Sequence, residues 1–537
     1  MRVDHTLWTL LAVSLMTALC GSLAAAPPLH QQIDALIEAQ EGYVPDAAAQ
    51  TDDAAFLRRV YLDLGGCLPS GEALHEFLGD TTENKRAQVI DRLLASEQHA
   101  TRMQYVLDEL LMERRADKHV PAVDWQTYLR QSVLDNKPWN VLVREILSAD
   151  GSEPKTRPAA KFLLDRDLRR EDVTRDLGRI FLGRDLQCAQ CHDHPTVDDY
   201  LQRHYFGLTA FLSRSYLFKD PKSGKTSIGE KAEGDVEFTS VFTSETDATP
   251  PRMLDLPPLD DPSPAEELYK TKPAKDARAI PTYSRRLRLA EAMIDDANGA
   301  FRRNIANRLW ALMMGRGLVE PLDMMHPQNP PTHPEVLDLL AEALLDNDYD
   351  LRYLLRELAL TRTYQRSSQA SEGSPADTAS YSVARLKPLS AEQLAIAMMQ
   401  ATGVVDPTAP LDEAAQKSVA TFAKMFGSAG QSTRFDAAAE QVLFLRNSPL
   451  IQSWLKTEDG LVADLNALKD LKDLKDLKDL ETPELAETFY LRVYSRLPLP
   501  EESRRIAEYL NAASDRRLAI EQLTWASLVS SEFRFNH

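Results

Sequence analysis

"AFRRNIANRLWALMMGRGLVEPLD", residues 300–323, sets the fold class. Ile305, Leu309, Leu312 and Met313 recur at helical spacing and predict one buried stripe, which Gly315 and Gly317 then end. The same period runs outward in both directions. Toward the N-terminus, "PPLHQQIDALIEAQ" (27–40), "DAAFLRRVYLDLGG" (53–66), "ENKRAQVIDRLLASEQ" (83–98), "RMQYVLDELLMERR" (102–115) and "REDVTRDLGRIFLG" (170–183) all read as helices. Toward the C-terminus, "LSAEQLAIAMMQATG" (389–403) places Ser390 three residues before Gln393, a capping-box spacing, and closes at Gly403. The expectation is a mainly α protein.

The helical pattern breaks between about residues 214 and 281. "DVEFTSVFT" (235–243) alternates, with Val236, Phe238 and Phe242 on one side, and predicts a short strand. "TPPRMLDLPPLDDPSP" (249–264) carries too much proline for a helix and reads as an irregular crossing. Two helical domains are therefore expected, 27–213 and 282–537, with a β/irregular insert over 214–281. Residues 1–26 read as a cleaved export signal: Arg2, an apolar stretch from Leu7 to Ala18, then small residues at Ala24 and Ala26. The lipoprotein reading, with Cys20 acylated, is poorly served by bulky Leu19. No later segment is apolar enough to span a bilayer, so the mature chain is expected to be exported, periplasmic or at the cell surface.

A chain of 537 residues exceeds a single core, and 43% apolar content suits globular domains. Its formal charge of −19 leaves no basic stripe for phosphates, which argues against a nucleic-acid partner. "LKDLKDLKDLKDL", 468–480, repeats every three residues, so its leucines walk around a helix and never form one face. It reads as a low-complexity expansion at the surface.

Chemistry concentrates in "FLGRDLQCAQCHDHP", 181–195, which holds two of the four cysteines. Cys188, Cys191 and His192 form Cys-x-x-Cys-His, the pattern by which two thiols attach haem c and the histidine ligates its iron. A second reading gathers Cys188, Cys191, His192 and His194 around zinc or iron, although four ligands within seven residues strain a tetrahedron. A third is a redox or structural disulfide, without the βαβ surroundings of a thioredoxin-like site. For a haem, His204 and Met253 are the distal candidates, with His194 close by in sequence. Cys67 reads as a small buried apolar residue.

Other constellations have structural explanations at hand. In Arg308, Trp310, Arg316, Glu320 and Asp323 the arginines could bind an anionic substrate and the carboxylates do acid/base work, but the favoured reading is a helix C-terminus with carboxylates paired to arginines; His326 and His333 could be ligands, with turns around prolines the favoured reading. The chain has no His-Glu-x-x-His, Gly-x-Ser-x-Gly, phosphate-binding or dinucleotide-binding signature.

"FLRRVYLDLGGCLPSGEALHEFL", "VIDRLLAS" and "FLGRDLQCAQCHDHP" resemble the first, and "NRLWALMMGRGLVEPLD", "NPPTHPEVLDLLA", "LTRTYQRSS", "FLRNSPL" and "SSEFRFNH" the second, of two paired domains of unknown function, 1549 and 1553, found in exported Planctomycete-type proteins. The resemblance runs in the family's order from about residue 30 onward. It implies export and, because many members carry an added cytochrome-c-like domain, redox chemistry at the cell surface. That added domain is not expected here. The family's Cys-x-x-Cys-His-x-His falls on Cys188, Cys191, His192 and His194. His204 stands where relatives tend to have an acidic residue.

The functional expectation is an exported redox or electron-transfer protein with a redox partner protein. The alternatives are a metal-dependent enzyme acting on extracellular polymers and a non-catalytic surface or scaffold protein.

Overall fold

A computed structural model describes residues 26–239, 241, 244, 246–263, 266–373, 378–406, 408–427, 438–468 and 484–537. Nearly all of the expected export signal and of the LKD tract, and Phe242 with them, lie outside the described residues. Among the described residues no helix is long and apolar enough to cross a membrane.

Helices dominate, and every sheet has two antiparallel strands. Three of these sheets are hairpins inside the expected insert: Ser215–Lys219 with Thr226–Glu230, Glu237–Thr239 with Thr246–Ala248, and Tyr269–Thr271 with Ile280–Pro281. The fourth pairs Lys387–Pro388 with Phe535–Asn536. The strand expected over 235–243 is shorter than its alternation suggested. It begins at Glu237, and Val236 is buried just ahead of it. The crossing over 249–264 is irregular in its described part, with Arg252 bonded through its amide to Gly207 of helix Gln202–Leu212.

The helices start and stop where local chemistry directs. Helix Ala391–Thr402 carries both hydrogen bonds of the Ser390–Gln393 capping box and ends at Gly403 in the left-handed region. The run at 83–98 is two elements, because the Ser96 hydroxyl caps a new helix, Glu97–Met112. Helix Gly299–Met314 is buried nearly all round, so the single stripe read from sequence is too narrow; Trp310, Asn307 and Arg308 are buried too, while Leu312 is only partly so.

The two helical regions share one core. A continuous cluster of buried side chains runs from Leu29 to Phe533. Helix Leu29–Ala39 packs on Pro334–Asp346 and Leu351–Leu360, and Trp139–Ser148 packs on Arg285–Met293.

Two helices widen at their ends. Asp53–Val60 runs into a π turn at Tyr61–Gly65, and Arg170–Asp176 into another at Leu177–Phe181. A widened turn leaves carbonyls for outside donors. At the second, Asn304 Nδ2 donates to the Ile180 carbonyl (2.6 Å) and Arg308 Nη2 to that of Arg179 (2.8 Å). Arg308, with Nε also on Asn304 Oδ1 (3.0 Å), thus helps to fasten the two regions together through the Arg179 carbonyl.

Candidate functional site

The cysteine turn hangs from this junction. After the π turn the chain reverses so tightly that a Cβ on Gly178 would lie 2.7 Å from the Arg184 carbonyl. Gly183 has φ +66°, and a Cβ there would meet Met325 Sδ at 2.8 Å. Both positions require glycine. Residues 183–185 then pair with 323–325: Met325 N donates to Gly183 O (2.9 Å) and Asp185 N to Asp323 O (2.8 Å). Asp323 therefore serves this clamp through its main chain.

Beyond the clamp, Leu186 is buried and Cys188–Gln190 forms one 3-10 turn. Ala189 points inward, fully buried, while Cys188 and Cys191 are both exposed and not joined as a disulfide. The loop closes on itself through residues no motif marked. Gln202 donates its amide N–H to Asp193 Oδ1 (2.7 Å) and its side chain to the Cys191 carbonyl (3.1 Å). His194 N donates to Tyr200 O (2.8 Å).

Hydrogen bonds separate the histidines. A carbonyl only accepts, so a ring nitrogen against it carries the proton. Nδ1 of His192 donates to the Asp193 carbonyl (2.7 Å), and Nδ1 of His204 to that of Asp199 (2.8 Å). In a neutral ring the lone pair then lies on Nε2, the arrangement common among metal-ligating histidines. Burial lowers the pKa of His204 and holds it neutral. His194 is the reverse case: its Nδ1 accepts the Thr196 amide (3.2 Å), which puts the neutral ring's proton on Nε2. Its ring is committed to shaping the loop. Met253 is buried in the core.

These features fit a covalently attached haem. Both thiols are accessible, and the adjacent histidine is oriented with its proton on Nδ1. They fit a metal cluster less well: among the described residues no group of three or more Cys, His, Asp or Glu is gathered so as to hold an ion. Cys67 is buried, with its thiol pushed up to about 12 by desolvation. His326 and His333 are part of the 326–333 loop, where His326 lies edge-on to Tyr200 and His333 packs on Tyr381.

Residues 32–216 match the family model of PSCyt2, Protein of unknown function (DUF1549), and residues 285–510 match that of PSD1, Protein of unknown function (DUF1553). No curated protein and no solved structure matches the chain. With both matches present, in that order and over most of its length, the chain belongs to the proteins that pair DUF1549 with DUF1553.

Proposed function

We propose that this chain is an exported redox protein carrying haem c on Cys188, Cys191 and His192. The observation that supports it best is the single exposed turn bearing both thiols, followed by a histidine whose Nδ1–H is held by a backbone carbonyl. When bound there, haem supplies one-electron chemistry at its iron. The chain's own residues orient the site: Asp193 holds the His192 ring through its carbonyl, and Gln202 holds the Cys191 and Asp193 ends of the turn. Of the distal candidates His204 is favoured over Met253, because its Nδ1 is likewise held by a carbonyl and its ring is kept neutral. The charge of −19 suits a basic redox partner, with association that weakens as salt rises.

The test is expression of the secreted chain in a periplasm competent for haem c maturation, with intact mass and visible spectrum taken from one sample. The reading expects the mass of one added haem and a Soret band that survives denaturation, both lost in Cys188→Ala/Cys191→Ala. An unmodified mass with no such band overturns it. A mass two hydrogens below the reduced chain would point instead to a Cys188–Cys191 bridge.

A further inference from the structure

The turn that bears Cys188 and Cys191 also walls a cleft of about 230 Å³, to which Gln190 contributes. Tyr205 and Phe206 of helix Gln202–Leu212 line it, as do Asp235 and Glu237 of the insert, and Arg170 with Glu171. Phe206 stacks on Phe238, with centroids 4.6 Å apart and planes at 5°, which holds strand Glu237–Thr239 against the helix. The space is smaller than a drug-sized site and suits a group the size of one side chain.

The lining is rich in acceptors and short of donors. Tyr205 is only 3% exposed, and its hydroxyl has no hydrogen-bond partner among the described residues; the little surface it keeps opens on the cleft. Burial, with Glu171 close by, raises its pKa, so the hydroxyl stays protonated and keeps a lone pair to accept with. The exposed carboxylates of Glu171 and Glu237 are likewise unpaired among the described residues. Asp235 accepts from Arg285 Nη2 (2.7 Å), and Arg170 gives Nη2 to the Ser213 carbonyl (2.9 Å). Three carboxylates against one guanidinium leave the lining negative, even with Arg285 set against Asp235. Such a site repels an anion and leaves a neutral hydroxyl without use for its charge. It calls for a cation that carries N–H donors. A guanidinium brings five of them and is more weakly hydrated than an ammonium.

We infer that this cleft takes the side chain of an arginine carried by a partner protein. Glu171, Asp235 and Glu237 are at the surface, open to a side chain that reaches in from outside. The chain's charge of −19 complements a basic partner. With Gln190 in the lining, the bound arginine lies beside the cysteine turn. Only the partner's redox role rests on the haem reading; the site's chemistry is measured whether or not haem is attached.

The test is calorimetric titration of the secreted full chain, at low salt, with acetyl-Gly-Arg-Gly-amide. Two control peptides replace the arginine, one with citrulline, which keeps the N–H donors without the charge, and one with trimethyllysine, which keeps the charge without the donors. The expected result is one saturable site that binds the arginine peptide at least fivefold tighter than either control. Glu171→Gln/Glu237→Gln, at exposed positions, should bring it within twofold of the citrulline peptide, and Tyr205→Phe should weaken it about threefold. Equal binding of the arginine peptide and either control, affinity unchanged in the double variant, or no saturable site at millimolar peptide each overturns the inference. Haem-bearing protein that ignores the arginine peptide refutes this site and spares the haem reading, while haem-free protein that binds it does the reverse.

Discussion

The ring of Tyr200 stands edge-on to that of His326, with centroids 5.5 Å apart and planes at 76°. On the same tyrosine, the ring of His194 lies 5.8 Å away at 89°. The Tyr200 hydroxyl donates to the Met325 carbonyl (3.2 Å). One buried side chain thus ties the cysteine loop to a loop more than 120 residues later in sequence.

Tyr200→Ala is therefore expected to cost about 3–5 kcal/mol, as for other buried aromatics. Tyr200→Phe loses only one hydrogen bond and should cost about 1 kcal/mol. Urea unfolding of the three proteins decides it. Equal losses for both variants would mean that the hydroxyl, not the ring, holds the loops together.

Thiol reactivity should divide the cysteines. In haem-free secreted protein, iodoacetamide is expected to modify Cys188 and Cys191, which are exposed, and to spare Cys67, whose buried thiol is pushed up to about 12. Mass spectrometry should count two adducts on native protein and three after denaturation. Rapid native labelling of Cys67 would contradict the packing of the first π turn, against which that residue lies.

Asp63, inside that π turn, accepts from Lys387 Nζ (2.5 Å), the Tyr364 hydroxyl (2.8 Å) and Asn536 Nδ2 (2.9 Å). Lys387→Met leaves a buried carboxylate without its cation and should cost about 3 kcal/mol or more. Adding Asp63→Asn removes the stranded charge but keeps a side chain that can hydrogen-bond to Tyr364 and Asn536. The double variant should be more stable than the sum of the two single losses, by about 0.5–3 kcal/mol of coupling. Strict additivity in chemical denaturation would show that the ion pair does not act as a unit.

Glu109 introduces a pH dependence. Burial pushes its carboxyl up to about 7, with Arg114, 3.5 Å away, opposing the shift. A carboxyl whose folded pKa exceeds its unfolded value binds more protons when folded, so stability falls as pH rises between them. The window runs from 4.5 to about 7. Glu109→Gln is expected to stabilise the protein at pH 8 by about 1–3 kcal/mol and to change little at pH 4. Denaturation midpoints at the two pH values measure it, and an equal effect at both would exclude the titration of Glu109 as the cause.

The helical class, a short strand near residue 238 and the capped helix at Ser390 followed from the sequence, because period and capping residues act within a few residues; the three hairpins of the 214–281 stretch did not. The paired domains were readable for the same reason, as ordered local motifs. The sequence could not show that Gln202 ties the turn, that Arg308 serves a main-chain carbonyl, or that Nδ1 donates in His192 and accepts in His194. Nor could it show one core running through both regions. Those features depend on where distant carbonyls, amides and apolar faces come to lie. A buried hydrogen bond or a shared core is a relation between segments, and only the packed chain brings its two sides within reach.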